Sequence, residues 1–169
     1  MVRKPRMPAT SSSTVDQAGP GRRHAVVLCQ VGSVVCALPL EHVAETLRPL
    51  PIETLSGTAH FVDGLSIIRG APVPVVDLAR LLGNATDEPR TRLVVVKIGE
   101  RSAALAVGSV LGVRALESAT VVELPPLLAG ASSEIITAIG SLDARLLLVL
   151  ETSRVLPESS WASLEGAES

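Results

Sequence analysis

The segment "HAVVLCQVGSVVCALPL" sets two unbroken apolar runs on either side of Gly32 and Ser33, a pattern that predicts a β-hairpin. Next, "PLEHVAETLRPLP" places Leu40, Val43 and Leu47 at helical spacing, with a proline in front and Pro49 and Pro51 behind, which predicts a short amphipathic helix. After a loop, "FVDGLSIIRG" and "APVPVVDLARLLG" predict a strand, a bend at Arg69 and Gly70, a second strand and a short helix closed by Gly83. Pro72 and Pro74 cannot donate to a β-ladder, so their strand is expected at a sheet edge or a bulge.

A polar linker, "NATDEPRT", follows, and beyond it the same order of patterns returns. "LVVVKIGERSAALAV" predicts another hairpin, with Gly99 standing 67 residues after Gly32. "AIGSLDARLLLVLETSRVL" repeats the strand–bend–strand pattern, with Arg154 standing 74 residues after Arg80. Between them "ALESATVVELPPLLAG" is a longer connection. The echo predicts two related β units, divided near 84–91 and packed on one another because each alone buries little surface. It also shows which residues the framework does not require. Arg69 aligns with Asp143, an ordinary turn residue, and Glu45 aligns with Gly112.

With 169 residues and 47% hydrophobic content, the chain can bury a sizeable core. No apolar run reaches the roughly 18 residues that a membrane helix needs, and the first residues lack the apolar centre of a secretion signal. The expectation is a soluble cytoplasmic protein. Net charge is −2, so no general field for nucleic acid or anionic lipid exists. The one basic locality is 1–23, where Arg3, Lys4, Arg6, Arg22 and Arg23 face Asp16 alone among Pro, Ser and Gly. It is expected to be a disordered leader, with a weak polyanion-binding arm as the other reading. Phe61 and Trp161 are the only aromatic residues, which argues against single-stranded nucleic acid, since base stacking needs aromatic platforms. Residues 157–169 read as a polar acidic tail in which Trp161 either docks a terminal helix or stays mobile.

Catalytic patterns are missing. His24, His42 and His60 stand at spacings that make no metal site with the cysteines or carboxylates. There is no G-x-S-x-G elbow, phosphate-binding loop or dinucleotide turn; Ser109 in "GSVLG" has the wrong spacing. Paired carboxylates for acid–base work are also lacking. Cys29 and Cys36 would face each other across a two-residue turn. A cross-strand disulfide is geometrically demanding, and two small apolar thiols in a reducing compartment is the expected reading.

Four motifs in order, "ALPLEHVAETLR", "FVDGLSIIRGAPVPVVDLARLLG", "RLVVVKIGERSAALAV" and "GSLDARLLLVLE", resemble the CheW family of chemotaxis coupling proteins over about His24 to Leu156. The second is the most specific, carrying the family's Gly-x-x-x-Leu-Arg-Gly-x-x-x-Pro-x-x-Asp-Leu signature with Ile68 where the family has leucine. The resemblance implies a mainly β fold of two packed five-stranded small β-barrels with a few short helices, and no catalysis or cofactor. It implies an adaptor that links the cytoplasmic tip of methyl-accepting chemotaxis proteins to the regulatory domain of a CheA-type histidine kinase in signalling arrays. The implied receptor groove maps onto Leu40, Val43, Glu45, Gly64, Ile68 and Arg69, with Glu45 and Arg69 as an ion pair and Gly64 permitting close backbone approach.

Departures from the family pattern are Ile67 where it usually has Asn, Gly108 where the second hairpin often ends in Asp, and Ala144 where Asp-Gly makes the last turn. No short motif marks the kinase contacts, so no residue is assigned to them. The departures and the basic leader motivate a second reading, an accessory CheW-like protein that binds receptors but not the kinase.

Overall fold

The computed structural model describes residues 23–84, 86–117, 121–123 and 134–168. Most of the basic leader and much of the longer connection lie outside the described residues. Eleven strands occur among them: β1 (Arg23–Val31), β2 (Val34–Pro39), β3 (Val43–Leu47), β4 (Val62–Ile68), β5 (Ala71–Asp77), β6 (Arg92–Ile98), β7 (Arg101–Val107), β8 (Ser109–Glu117), β9 (Val121–Glu123), β10 (Ile136–Leu142) and β11 (Arg145–Leu150). Helical turns are short: 3-10 turns at Leu40–His42 and Thr152–Arg154, helix α1 (Leu78–Leu81), and a longer α2 (Glu158–Glu168).

The strands form two sheets, ordered β8-β1-β2-β11-β10-β9 and β3-β6-β7-β5-β4. Neighbours are antiparallel except β11 on β2 and β5 on β7, so each sheet is built on two hairpins laid side by side in parallel. The mainly β fold of two packed units is therefore present, as sheets of six and five strands. The sheets draw strands from both halves of the chain: β1 and β2 lie with β10 and β11, while β6 and β7 lie with β4 and β5. The linker at 84–91 consequently runs between strands of one sheet.

Burial on both faces explains why the strands read as unbroken apolar runs. Val27, Cys29 and Val31 of one sheet meet Val94, Val96 and Leu105 of the other in the layer between the sheets. The alternate residues point away from that layer. Val26, Leu28, Val35 and Ala37 fill a separate core of the six-stranded sheet, and Ile68, Val75, Leu93 and Val95 one of the five-stranded sheet. Cys29 and Cys36 are register partners and both are free thiols. Burial pushes the Cys29 thiol up to about 12 and raises Cys36 as well.

Two expectations are corrected. The helix expected over 39–51 is a single 3-10 turn followed by strand β3. Val43, Glu45 and Leu47 are half-buried while Ala44 and Thr46 are exposed, a period of two. The spacing from Val43 to Leu47 fits either period, and pairing with β6, helped by β-branched Val43 and Thr46, decides for the strand. The proline strand β5 is internal; its pairing with β7 covers only Val75 to Asp77, which leaves Pro72 and Pro74 beyond the ladder on that side. Of the two readings of Trp161 the structure has the docked one: the polar segment holds α2, whose Trp161 and Leu164 enter the inter-sheet layer.

The internal echo is visible in the geometry. Gly32 and Gly99 open their hairpin turns with φ of 61° and 65°. Strands β3 and β8 each skip one residue in register, at Ala44 and Leu111, positions 67 apart. Arg80 donates to the His60 carbonyl and Arg154 to the Glu134 carbonyl, each 20 residues upstream.

Candidate functional site

The β4–β5 bend is a two-residue turn with both residues at positive φ, Arg69 at 55° and Gly70 at 79°. Glycine takes such angles freely, whereas a side chain at the first position costs about 1–2 kcal/mol. The equivalent β10–β11 bend places Asp143 and Ala144 at 50° and 67°, so the turn itself does not call for arginine.

What Arg69 adds is a fork onto Glu45 of β3, with Nε donating to Oε2 at 3.0 Å and Nη2 to Oε1 at 2.6 Å. Strands β3 and β4 are the two outer strands of the five-stranded sheet, so one side-chain contact joins its edges and the sheet must be strongly curled. Main chain reinforces this joint, because Glu53 and Leu65 exchange N–H···O bonds of 2.8 and 2.9 Å. The Arg69 side chain keeps 78% of its surface exposed and Glu45 only 23%. Hydrogen bonds from Arg69 hold the Glu45 carboxyl below the ordinary carboxylate value, outweighing partial desolvation.

At Gly64 a close backbone approach is present within the chain. Its φ is 144°, and a Cβ there would stand 2.0 Å from the Glu53 carbonyl oxygen. The backbone that comes close is the chain's own. Ile68 lies with the inner core of the five-stranded sheet, so it supports the bend from below instead of lining a surface. Its neighbour Ile67 is the exposed one, at 67%. Ser66, buried on the other side of Ile67, anchors the strand by donating to the Pro51 carbonyl at 2.7 Å.

Leu40 is exposed in the 3-10 turn, at the rim of a cavity of about 650 Å³ lined also by Val26, Pro39, Leu116 and Val149. Val43 is half-buried against the inter-sheet layer. Between them His42 Nδ1 lies 3.0 Å from the Oγ1 of fully buried Thr152, tying this turn to the second 3-10 turn. The structure thus gathers Glu45, Gly64, Ile68 and Arg69 at the β3–β4 joint, while Leu40 and Val43 occupy the approach to β3.

Two residues were missed. Val110 and Leu111 of β8 are the counterparts of Val43 and Ala44; Val110 packs on the inter-sheet layer and Leu111 is exposed. The 67-residue offset that pairs Glu45 with Gly112 would have found them. The signature aspartate, Asp77, is buried and caps α1 by accepting from Arg80 N at 3.2 Å. It also pairs with Arg80 and Arg90, fixing the linker to α1. Among the described residues no group of three His, Cys, Asp or Glu could hold a metal ion. The arrangement offers a charged, rigid surface for binding.

A family profile described as CheW-like domain matches residues 25–160. Protein FrzA of Myxococcus xanthus is 37% identical over 136 residues, which is 74% of this chain and 84% of FrzA. The chemotaxis protein CheW of Klebsiella aerogenes is 25% identical over 117 residues, 68% of this chain and 70% of its own length. Among solved structures, the scaffolding protein TtCheW from Thermoanaerobacter tengcongensis matches with a TM-score of 0.70 at 20% identity, over 81% of this chain and 94% of that one, a likeness of fold.

Proposed function

The chain belongs to the CheW-like domain family, and on that premise we propose that it is a non-catalytic adaptor of a bacterial chemosensory system, coupling methyl-accepting receptors to a CheA-type histidine kinase. Its place is in the cytoplasm, within receptor arrays; no described helix is long and apolar enough to cross a membrane. The observation that carries this reading is the Arg69–Glu45 fork. An arginine is held in a conformation that disfavours side chains, its head largely in solvent, at a bend where the equivalent turn does without it. Held by Glu45 with most of its surface left in solvent, the guanidinium is oriented for contact with a partner.

The receptor tip meets this polar joint and the apolar approach formed by Leu40 and Val43. Covering about 400 Å² of apolar surface is worth on the order of 10 kcal/mol gross. Association costs of similar size leave a micromolar contact. Signalling then depends on many copies in an array, where multivalency supplies avidity.

Ile67 favours the accessory reading as the alternative, because an exposed isoleucine stands where the family signature usually has asparagine. Pull-downs with the receptor tip and the kinase regulatory domain offered separately distinguish the two. Retention by both supports the coupling protein, and retention by the tip alone supports the accessory protein.

A further inference from the structure

Beside α2 the two sheets leave a crevice of about 470 Å³. Its apolar lining comes from both halves of the chain: Phe61 and Leu81 from the first, Ile135, Val155 and Leu156 from the second, with Trp161 of α2 as one wall. Arg101, Glu158, Glu134 and Arg154 are its charged members. Two of them satisfy each other, since Arg101 reaches Glu158 at 3.0 Å and stacks 4.9 Å over the Trp161 ring.

Arg154 is different, and its twin shows how. Arg80 and Arg154 both donate to a carbonyl 20 residues upstream, but Arg80 also pairs with Asp63 at 3.2 Å and Asp77 at 3.1 Å. Among the described residues no carboxylate pairs with Arg154. One repeat supplies its arginine with acids from within; the other leaves it exposed at the mouth of an apolar crevice.

We propose that this crevice docks an amphipathic segment of a partner protein, which inserts a bulky apolar side chain against Phe61 and Trp161 and sets a carboxylate on Arg154. The exposed Glu134 carboxylate favours a segment that carries a base as well as the acid. The crevice is partly open to solvent and combines apolar walls with charged members, which suits an amphipathic helix. The site is separate from the β3–β4 joint.

Trp161 is the chain's single tryptophan, so its emission reports on the crevice directly. A phage-displayed library of random peptides is selected on the full chain, and synthetic copies lacking tryptophan are titrated while Trp161 emission is followed. The expected peptides carry a bulky apolar residue within one helical turn of an acid and shift the emission. Arg154→Ala, with unchanged melting temperature, weakens binding about tenfold, as does replacing the acid by its amide. Arg154→Lys restores part of the loss. Arg69→Ala leaves peptide binding unchanged, so this site and the receptor reading fail or stand independently. The proposal is overturned if no selected peptide alters Trp161 emission, or if binding is indifferent to both Arg154→Ala and the amide peptide.

Discussion

The guanidinium of Arg69 grips both carboxylate oxygens of Glu45, and in doing so it joins the two outer strands of one sheet, β3 and β4. A partner reaching this corner meets a cation whose direction is already fixed. Because the pair is largely at the surface, its contribution to folding is small.

Acid should release this fork. Its hydrogen bonds keep the Glu45 carboxyl below the ordinary value of 4.5. A lowered folded-state value means that the stabilisation is complete above the unfolded value and is lost as pH falls through the folded one. The Glu45 side-chain carbon signal should therefore titrate at lower pH than the exposed glutamates, and Arg69→Gln should move its midpoint upward. Coincident midpoints would remove the pair from solution.

Gly64→Ala should destabilise the fold by at least about 2 kcal/mol in urea titrations, since the added Cβ at φ 144° would collide with the Glu53 carbonyl. Gly83→Ala serves as a control, because its Cβ would meet nothing within 4 Å and only the positive φ is strained. Equal losses at the two positions would mean that the 52–53 segment yields.

The two thiols should be inert in the native protein. With burial pushing Cys29 up to about 12, only about one thiol in ten thousand is ionised at pH 8, and neither sulfur is exposed. A thiol-reactive dye should label neither cysteine until denaturant is added. Rapid native labelling would show that the β1–β2 hairpin opens readily.

Trp161→Ala should cost about 3–5 kcal/mol, because the indole is buried in the inter-sheet layer and carries the Arg101 stack. Exposed Ser159→Ala should be nearly neutral. A Trp161→Ala protein with wild-type melting would mean that α2 is an ornament of the fold.

How legible the chain was depends on the range of each interaction. Turns are local: Gly32, Gly99 and the Arg69-Gly70 bend punctuate the apolar runs, and all three mark hairpins. The short helix after Asp77 was legible for the same reason, its cap and its closing Gly83 being neighbours in sequence. Strand exchange between the sheets is non-local, and no residue near 84–91 announces it. Strand β3 was misread because Leu40, Val43 and Leu47 satisfy a helical spacing while only β6 supplies the partner that makes a strand. Trp161 lay hidden in a Ser- and Glu-rich stretch with little apolar periodicity. At the candidate site the structure pairs Glu45 with Arg69, while the inward placing of Ile68 and the cover of Glu53 over Gly64 depend on neighbours that no short motif specifies.

On the proposed function the Arg69 corner faces a receptor. Co-sedimentation of Arg69→Glu with assembled receptor tips tests it most directly, with circular dichroism and melting recorded on the same preparation. The expected result is a folded protein that stays in the supernatant while the wild type pellets with the tips; a folded Arg69→Glu that pellets like the wild type would mean that this corner does not bind the receptor.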